Sequence, residues 1–476
     1  MNLFLSRRNI LLVLLFLTAC VRAQVDNIPV STNNYLLPYI ELGLPVLDIV
    51  TENSIEPTCD TILPPEDAIG HGITNASKVP GRVIKYVNGE EVFNSGNYVK
   101  GESGMTIKIR GNTSAWDDKK PYKIKLQKKA DLLLRDNPDY NDKNWVLLKD
   151  ETFRALAGFK VNELLGLQWT PSYEYVNVLM NGDYKGVYLL AESVERNKKG
   201  RINVDSSGYL FEFDAYWWNE PLYVLSPTQL WCMMNYTFKY PDTDDMDENR
   251  ISEFSLMIAE MENAIHNGDY QNYIDVTSFA KWLIGQDILG NGDPCGANVF
   301  ISKYDNTNET KFQMPCMWDF DRIMEMQNDW SRQHICGVFC YGPLLNRSNK
   351  IFVNEYSRVW YSINSSIFDD VISYLTNFFN SEQFESISQS LVKDNQRWGV
   401  ENEAGESVDV LINWFRDRKN WMTEAINNQL DPRLPTGIID VKSQNANDRY
   451  YNLSGLRISN NRKEIIISKG KKFINQ

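Results

Sequence analysis

Polar and apolar residues alternate from Met105 to Arg110 and again through Tyr122-Lys-Ile-Lys-Leu126, with a polar, turn-like segment from Asn112 to Lys120 between them. A period of two predicts a pair of half-buried strands, and here their polar face is basic. Asn144-Trp-Val-Leu-Leu148 predicts another short strand. Leu156, Phe159 and Leu164 fall at helical spacing within Arg154 to Leu165, and Gly166 supplies a stop signal. Tyr173 to Met180 and Tyr184 to Ala191 flank Asn181-Gly182, the strongest short-range hairpin signal in the chain. Further on the period lengthens. Ile251, Phe254, Met257, Ile258, Met261 and Ile265 share one helical face, Phe279, Trp282, Leu283 and Gln286 mark a second helix, and Val408 to Met422 a late one that stops before Pro432. The pattern predicts an α+β chain with a strand-rich N-terminal lobe and a helical C-terminal lobe.

Composition narrows the class. The 476 residues are 43% hydrophobic and 23% charged, as in a packed globular protein. A net charge of -13 disfavours a broad electrostatic grip on nucleic acid, while leaving room for a local basic pocket for phosphate. Residues 1–23 carry Arg7 and Arg8, an apolar run from Ile10 to Leu17 and then small residues, the plan of a secretory signal. The expectation is an exported protein in the periplasm, on the outer surface or secreted, with no membrane span in the mature chain. Leu17-Thr-Ala-Cys20 reads as a site for a lipid anchor on Cys20, and Val21-Arg-Ala23 as an ordinary cleavage site; both stay open. Six further cysteines are too widely spaced for a dense disulfide framework, and His334, Cys336 and Cys340 lack an evident fourth ligand for zinc. Residues 436–476 read as a small β-rich tail that also resembles C-terminal sorting segments of bacterial exported proteins.

The chemistry concentrates late in the chain. Asp293-Pro-Cys-Gly-Ala-Asn298 leads into an apolar strand, Val299 to Tyr304, then a polar turn and a return strand ending in Trp318-Asp-Phe-Asp321. Adjacent strands lie about 4.8 Å apart, so the two open ends of such a hairpin are neighbours, and Asp293, Asn298 and Asp319 can converge. Two carboxylates and an amide oxygen suit Mg²⁺ or Mn²⁺. Asp-x4-Asn is also the spacing of a kinase catalytic loop. Lys119-Lys120, just before a strand, offers a cation for phosphates, and Glu192 at the end of the Asn-Gly hairpin offers it a partner. Each of these has a plain alternative: turn caps, surface ion pairs and solvated strand charge.

Taken in order, Ile109-Arg-Gly-Asn-Thr-Ser-Ala-Trp116, Lys119-Lys-Pro-Tyr-Lys-Ile-Lys-Leu126, Asn144-Trp-Val-Leu-Leu148, Asn181-Gly-Asp-Tyr-Lys-Gly-Val-Tyr-Leu-Leu-Ala-Glu192, Gly208-Tyr-Leu-Phe-Glu-Phe-Asp214, Asp293-x4-Asn298 and Trp318-Asp-Phe-Asp321 resemble the CotH family of atypical, secreted or spore-coat protein kinases. The resemblance spans residues 41–427. It implies an atypical protein-kinase-like two-lobed fold that binds ATP with Mg²⁺ or Mn²⁺ and phosphorylates Ser or Thr of proteins. Position by position it implies Asp293 as catalytic acid/base, Asn298, Asp319 and Asp321 at the metal, and Lys120 on the phosphates with Lys119 an open alternative. It further implies Tyr188 against adenine, Arg110 and Asn112 shaping the phosphate-covering turn, Glu192 orienting the lysine, and Trp318 as a stacking or packing residue. Two departures stand out. Asp117-Asp118 precede the lysine pair, and Arg322-Ile-Met-Glu follows Trp-Asp-Phe-Asp where an aromatic and glycine-containing stretch is expected. Three function classes follow: an exported kinase, a surface binding protein on a kinase-like scaffold, and a metal-assisted phosphohydrolase using the same acids.

Overall fold

A computed structural model describes residues 35–66, 72–230, 234–294, 297–326, 341–345, 350–400 and 404–430, and the backbone of four short strands between 450 and 474. The signal-like start, Cys20, Cys232, Cys295 and the His334, Cys336 and Cys340 group lie outside the described residues; within them Cys59 and Cys316 are free thiols. No helix among the described residues is long and apolar enough to cross a membrane.

The strand-rich region is a closed ring. Strands β1 (Val46–Thr51), β4 (Val79–Val87), β6 (Met105–Ile109), β7 (Tyr122–Ala130), β8 (Asp142–Leu148), β9 (Tyr173–Met180) and β10 (Asp183–Glu192) pair in the order β1-β9-β10-β8-β7-β6-β4, and β4 returns to β1. β5 (Glu90–Asn94) is appended to β4, while β2 (Cys59–Ile62) and β3 (Ile73–Ala76) make a separate hairpin. Alternation explains the closure: Leu47, Val83, Ile107, Ile124, Leu147, Val178 and Leu190, one from each of the seven strands, meet in a single buried cluster inside the barrel. The predicted hairpin is β9–β10, and both loop residues take left-handed conformations, Asn181 at φ 54° and Gly182 at φ 81°, as a two-residue turn requires.

Outward residues of β8 to β10, among them Val146, Tyr175, Val187 and Leu189, join a larger core built by the helices. After the short α1 (Leu37–Ile40), helix α2 (Arg154–Leu165) ends at Gly166 in the left-handed region (φ 60°), as its sequence predicts. Helices α3 (Glu248–Asn267), α4 (Val276–Leu289), α5 (Tyr341–Leu344), α6 (Lys350–Ile363), α7 (Ile367–Phe379), α8 (Glu382–Trp398) and α9 (Ala404–Leu430) form the C-terminal part. Phe153, at the start of α2, packs with its ring 5.5 Å from Phe378 and 5.7 Å from Phe384, tying barrel to helices.

The C-terminal part also holds a second sheet, of which the sequence pattern predicts only the β14–β15 hairpin: β11 (Tyr209–Asp214), β12 (Tyr223–Val224), β13 (Asn235–Tyr240), β14 (Val299–Lys303) and β15 (Phe312–Gln313), ordered β12-β13-β11-β14-β15. The expected return strand stops at Gln313 rather than running to Trp318. Pro315 has no N–H to donate, and the next backbone groups find other partners: Met314 N–H donates to Ser278 (3.1 Å), and Met317 N–H to Asn162 (2.7 Å). Residues 314–320 therefore run through the core outside the ladder. Near the C-terminus Ile465–Ser468 pairs antiparallel with Lys471–Ile474.

Candidate active site

Three elements deliver the acids. Helix α4 ends at Gly290 (φ 55°), and the buried Asn291 beyond it links the pieces. Its amide donates to Gln286 (3.1 Å) and to the Asp319 carbonyl (3.0 Å), while its side-chain oxygen accepts the Asp293 N–H (3.1 Å). Asn298 and Asp319 both have φ 65°, a left-handed turn of the backbone that aims their side chains into the same space. The Asn298 amide lies 2.7 Å from Asp293 Oδ2 and 3.5 Å from Asp319 Oδ2, and its N–H donates to Glu212 on β11 (2.8 Å). Asp293, Asn298 and Asp319 thus converge, by the route of Asn291 and β11 rather than by a continuous hairpin ladder.

The cluster is short of positive charge. Burial raises the pKa of Asp293, with Asp321 adding to the rise, and burial raises that of Asp319 although Arg110 opposes it. Asp321 is pushed up to about 6, by burial first and the Asp319 charge second. Asp214 on β11 rises to about 7 through burial and then Glu212, whose own carboxylate pairs with Lys239 at 3.0 Å. Cations frame the acids: Arg110 from the end of β6 acts on Asp319 and Asp321, Arg154 holds the Asp321 carbonyl, and Arg322 sits 3.6 Å from Asp293 while forking onto Glu325. Gly158 lets α2 approach: a Cβ there would sit 2.2 Å from the Phe320 ring.

Other predicted residues lie elsewhere. Lys119 is 7% exposed, and its ammonium donates to Glu151 (2.5 Å), Asp394 of α8 (2.5 Å) and the Val187 carbonyl (2.7 Å). Lys120 is half-buried, and its carbonyl accepts the Tyr188 hydroxyl at 2.8 Å. Tyr188 is 1% exposed inside the barrel, 6.0 Å from the Tyr122 ring, so its face is covered by protein. Glu192 does not reach either lysine; it accepts from Arg135 (2.8 Å) and the Ser172 N–H (3.0 Å), because the end of β10 turns to that side of the barrel. Trp318 is buried, stacked at 15° on Trp169 and beside Phe159, in the packing role. Asn112 opens the turn Thr113–Trp116, and Asp117 pairs with Lys149, which removes it from the phosphate-facing set. Glu212, Asp214, Asn291 and Lys239 belong to the site without having been singled out. Glu212 and Asp214 stand two apart on one face of an otherwise apolar strand, a signal legible in Phe-Glu-Phe-Asp.

No three His, Cys, Asp or Glu side chains among the described residues close into a metal cage. Carboxylate oxygens of Asp293 and Asp319 lie on either side of the Asn298 amide nitrogen and repel each other, and two carboxylates are the donors that suit a cation keeping most of its sphere for water and phosphate.

A barrel joined to a helical region, with clustered acids where they meet, defines a mixed α+β protein with an acidic site. The sequence model of one family, CotH kinase protein, matches residues 107–422, and the chain belongs to that family. No curated protein matches the chain.

Proposed function

We propose that the chain is an exported, metal-dependent protein kinase that transfers the γ-phosphoryl group of ATP to Ser or Thr hydroxyls of proteins, on a kinase-like two-lobed fold of residues 41–427. The convergence of Asp293, Asn298 and Asp319 carries this reading, because phosphoryl transfer needs a base beside a metal-holding pair. Asp293 is the group that takes the acceptor hydroxyl proton. Asp319 and Asn298 hold the divalent cation, with Asp321 supporting them, and the cation when bound neutralises phosphate charge. Arg110 reaches the same space from the barrel and steadies the transferring group. Asn291 orients Asp293 and Asp319 together.

Arg322 supports a second reading, a weakly active or inactive binding scaffold, since it places a counter-ion beside the proposed base where the family resemblance leads one to expect other residues. Transfer of labelled γ-phosphate to casein-like acceptors and to the chain itself, with Mg²⁺ or Mn²⁺, separates the two. Label on Ser or Thr that disappears in folded Asp319→Ala supports the kinase; free phosphate without labelled protein supports a hydrolase; neither, from folded and metal-loaded protein, leaves the scaffold.

A further inference from the structure

Lys108 on β6 and Lys123 on β7 are direct partners across the strand pair. Like charges in that position repel, and sheets avoid them unless something intervenes. Lys123 has a counter-ion, Glu195 at 3.1 Å. Lys108 is half-buried and pairs with no carboxylate among the described residues. Burial lowers its pKa, and the nearby Lys123, Lys78 and Lys239 add to the fall while Glu220 opposes it. Lys239 in turn belongs to the acidic site through Glu212. Arg110, two residues beyond Lys108, shares its face of β6 at a separation of about 7 Å and acts on Asp319 and Asp321. A row of cations on the outer face of β6 and β7 therefore runs up to the carboxylates, and among the described residues Lys108 is its member without an ion-pair partner.

We propose that Lys108, flanked by Lys123 and Arg110, forms a cationic wall that receives the polyphosphate of a nucleoside triphosphate, while Lys119 and Lys120 do not contact it. The inference rests on the kinase reading for its ligand and on the strand register for its site. Lys119 is taken up by two carboxylates and a carbonyl. The terminal phosphate end of the chain faces Asp319, and Lys108 meets the groups further back.

The experiment compares wild type with Lys108→Met and, as a surface control, with Lys128→Met, whose lysine is exposed on the neighbouring strand β7. Inorganic tripolyphosphate in EDTA and MgATP are titrated by calorimetry, and melting temperatures are read without ligand. The expected result is a loss of about tenfold or more in tripolyphosphate affinity for Lys108→Met. The same variant should melt higher than wild type when empty, because the cross-strand repulsion is gone, and Lys128→Met should match wild type in affinity. Equal affinity in Lys108→Met overturns the proposal, as does a lower melting temperature, which would make Lys108 a packing residue, or a wild type that binds neither ligand. Lys108-dependent binding without any phosphate transfer would keep the wall and remove the kinase reading. Transfer with an unchanged KM for ATP in Lys108→Met would do the reverse.

Discussion

Two groups of charged side chains are sunk between the barrel and the helices, and they are built to opposite rules. Around Lys119 one ammonium meets two carboxylates and a carbonyl, all within hydrogen-bonding distance. Gly186 (φ 111°) makes the room, since a Cβ there would lie 2.3 Å from Asp394 Oδ1. Around Asp319 three carboxylates crowd together, each raising the pKa of a neighbour, and a single amide separates two of them. A buried charge that has its partners is part of the scaffold; buried charges left short of partners mark where a ligand supplies the rest.

Substitutions that break this contrast have graded effects. Asp319→Asn should lower phosphate transfer on the order of 10³-fold, while urea unfolding shows a protein as stable as wild type or more so, because a buried repulsive charge has gone. Lys119→Met should do the opposite. It leaves Asp394 and Glu151 facing each other without their cation and should cost about 3–5 kcal/mol of stability, measured by the same unfolding curves; a loss below about 1 kcal/mol would show that the cluster does not bind the two regions together.

Asp150 sharpens the contrast through pH. It is buried, caps α2 through the Ala155 and Leu156 N–H groups, accepts from Tyr175, and burial pushes its pKa up to about 7 from a usual 3.8. The folded chain therefore keeps a proton that the unfolded chain releases, so this group's contribution to stability is full below pH 3.8 and fades as pH rises to about 7. Asp150→Asn should flatten that part of the stability profile between pH 4 and 7. The smallest effect is expected at Arg322, half-exposed and 3.6 Å from Asp293. Arg322→Ala should raise transfer about twofold to fivefold by freeing the base, in keeping with a weak surface ion pair; no change, or a fall, would assign Arg322 to substrate binding.

Local patterns were legible and distant pairings were not. The β9–β10 hairpin, α2 with its glycine stop, and the three long helices α3, α4 and α9 each follow from residues within a few positions of one another. β1 was missed because Val46–Thr51 lies alongside β9, with Val46 opposite Asn177, and nothing in its own short run says so. In the second sheet the β14–β15 hairpin was legible, but β11, β12 and β13 were missed for the same reason, as β11 pairs with β14 across a helical stretch. At the site, Asp293, Asn298 and Asp319 were readable from residue type and spacing. That Lys119 is buried was not readable, because one of its partners, Asp394, lies 275 positions away. Lys108 carried no signal of its own in the alternating run, and only the strand register sets it opposite Lys123.

The position of Asp394 also orders events during synthesis. All seven strands of the ring have been made once residue 192 has emerged, so the barrel's apolar interior can assemble early. Lys119, with Glu151 already present, then waits for a second acid that arrives some two hundred residues later, when α8 docks against Gly186. A ribosome-bound fragment holding the complete ring but not α8 should be collapsed yet easily cut by protease, and protection should appear in one step as α8 emerges.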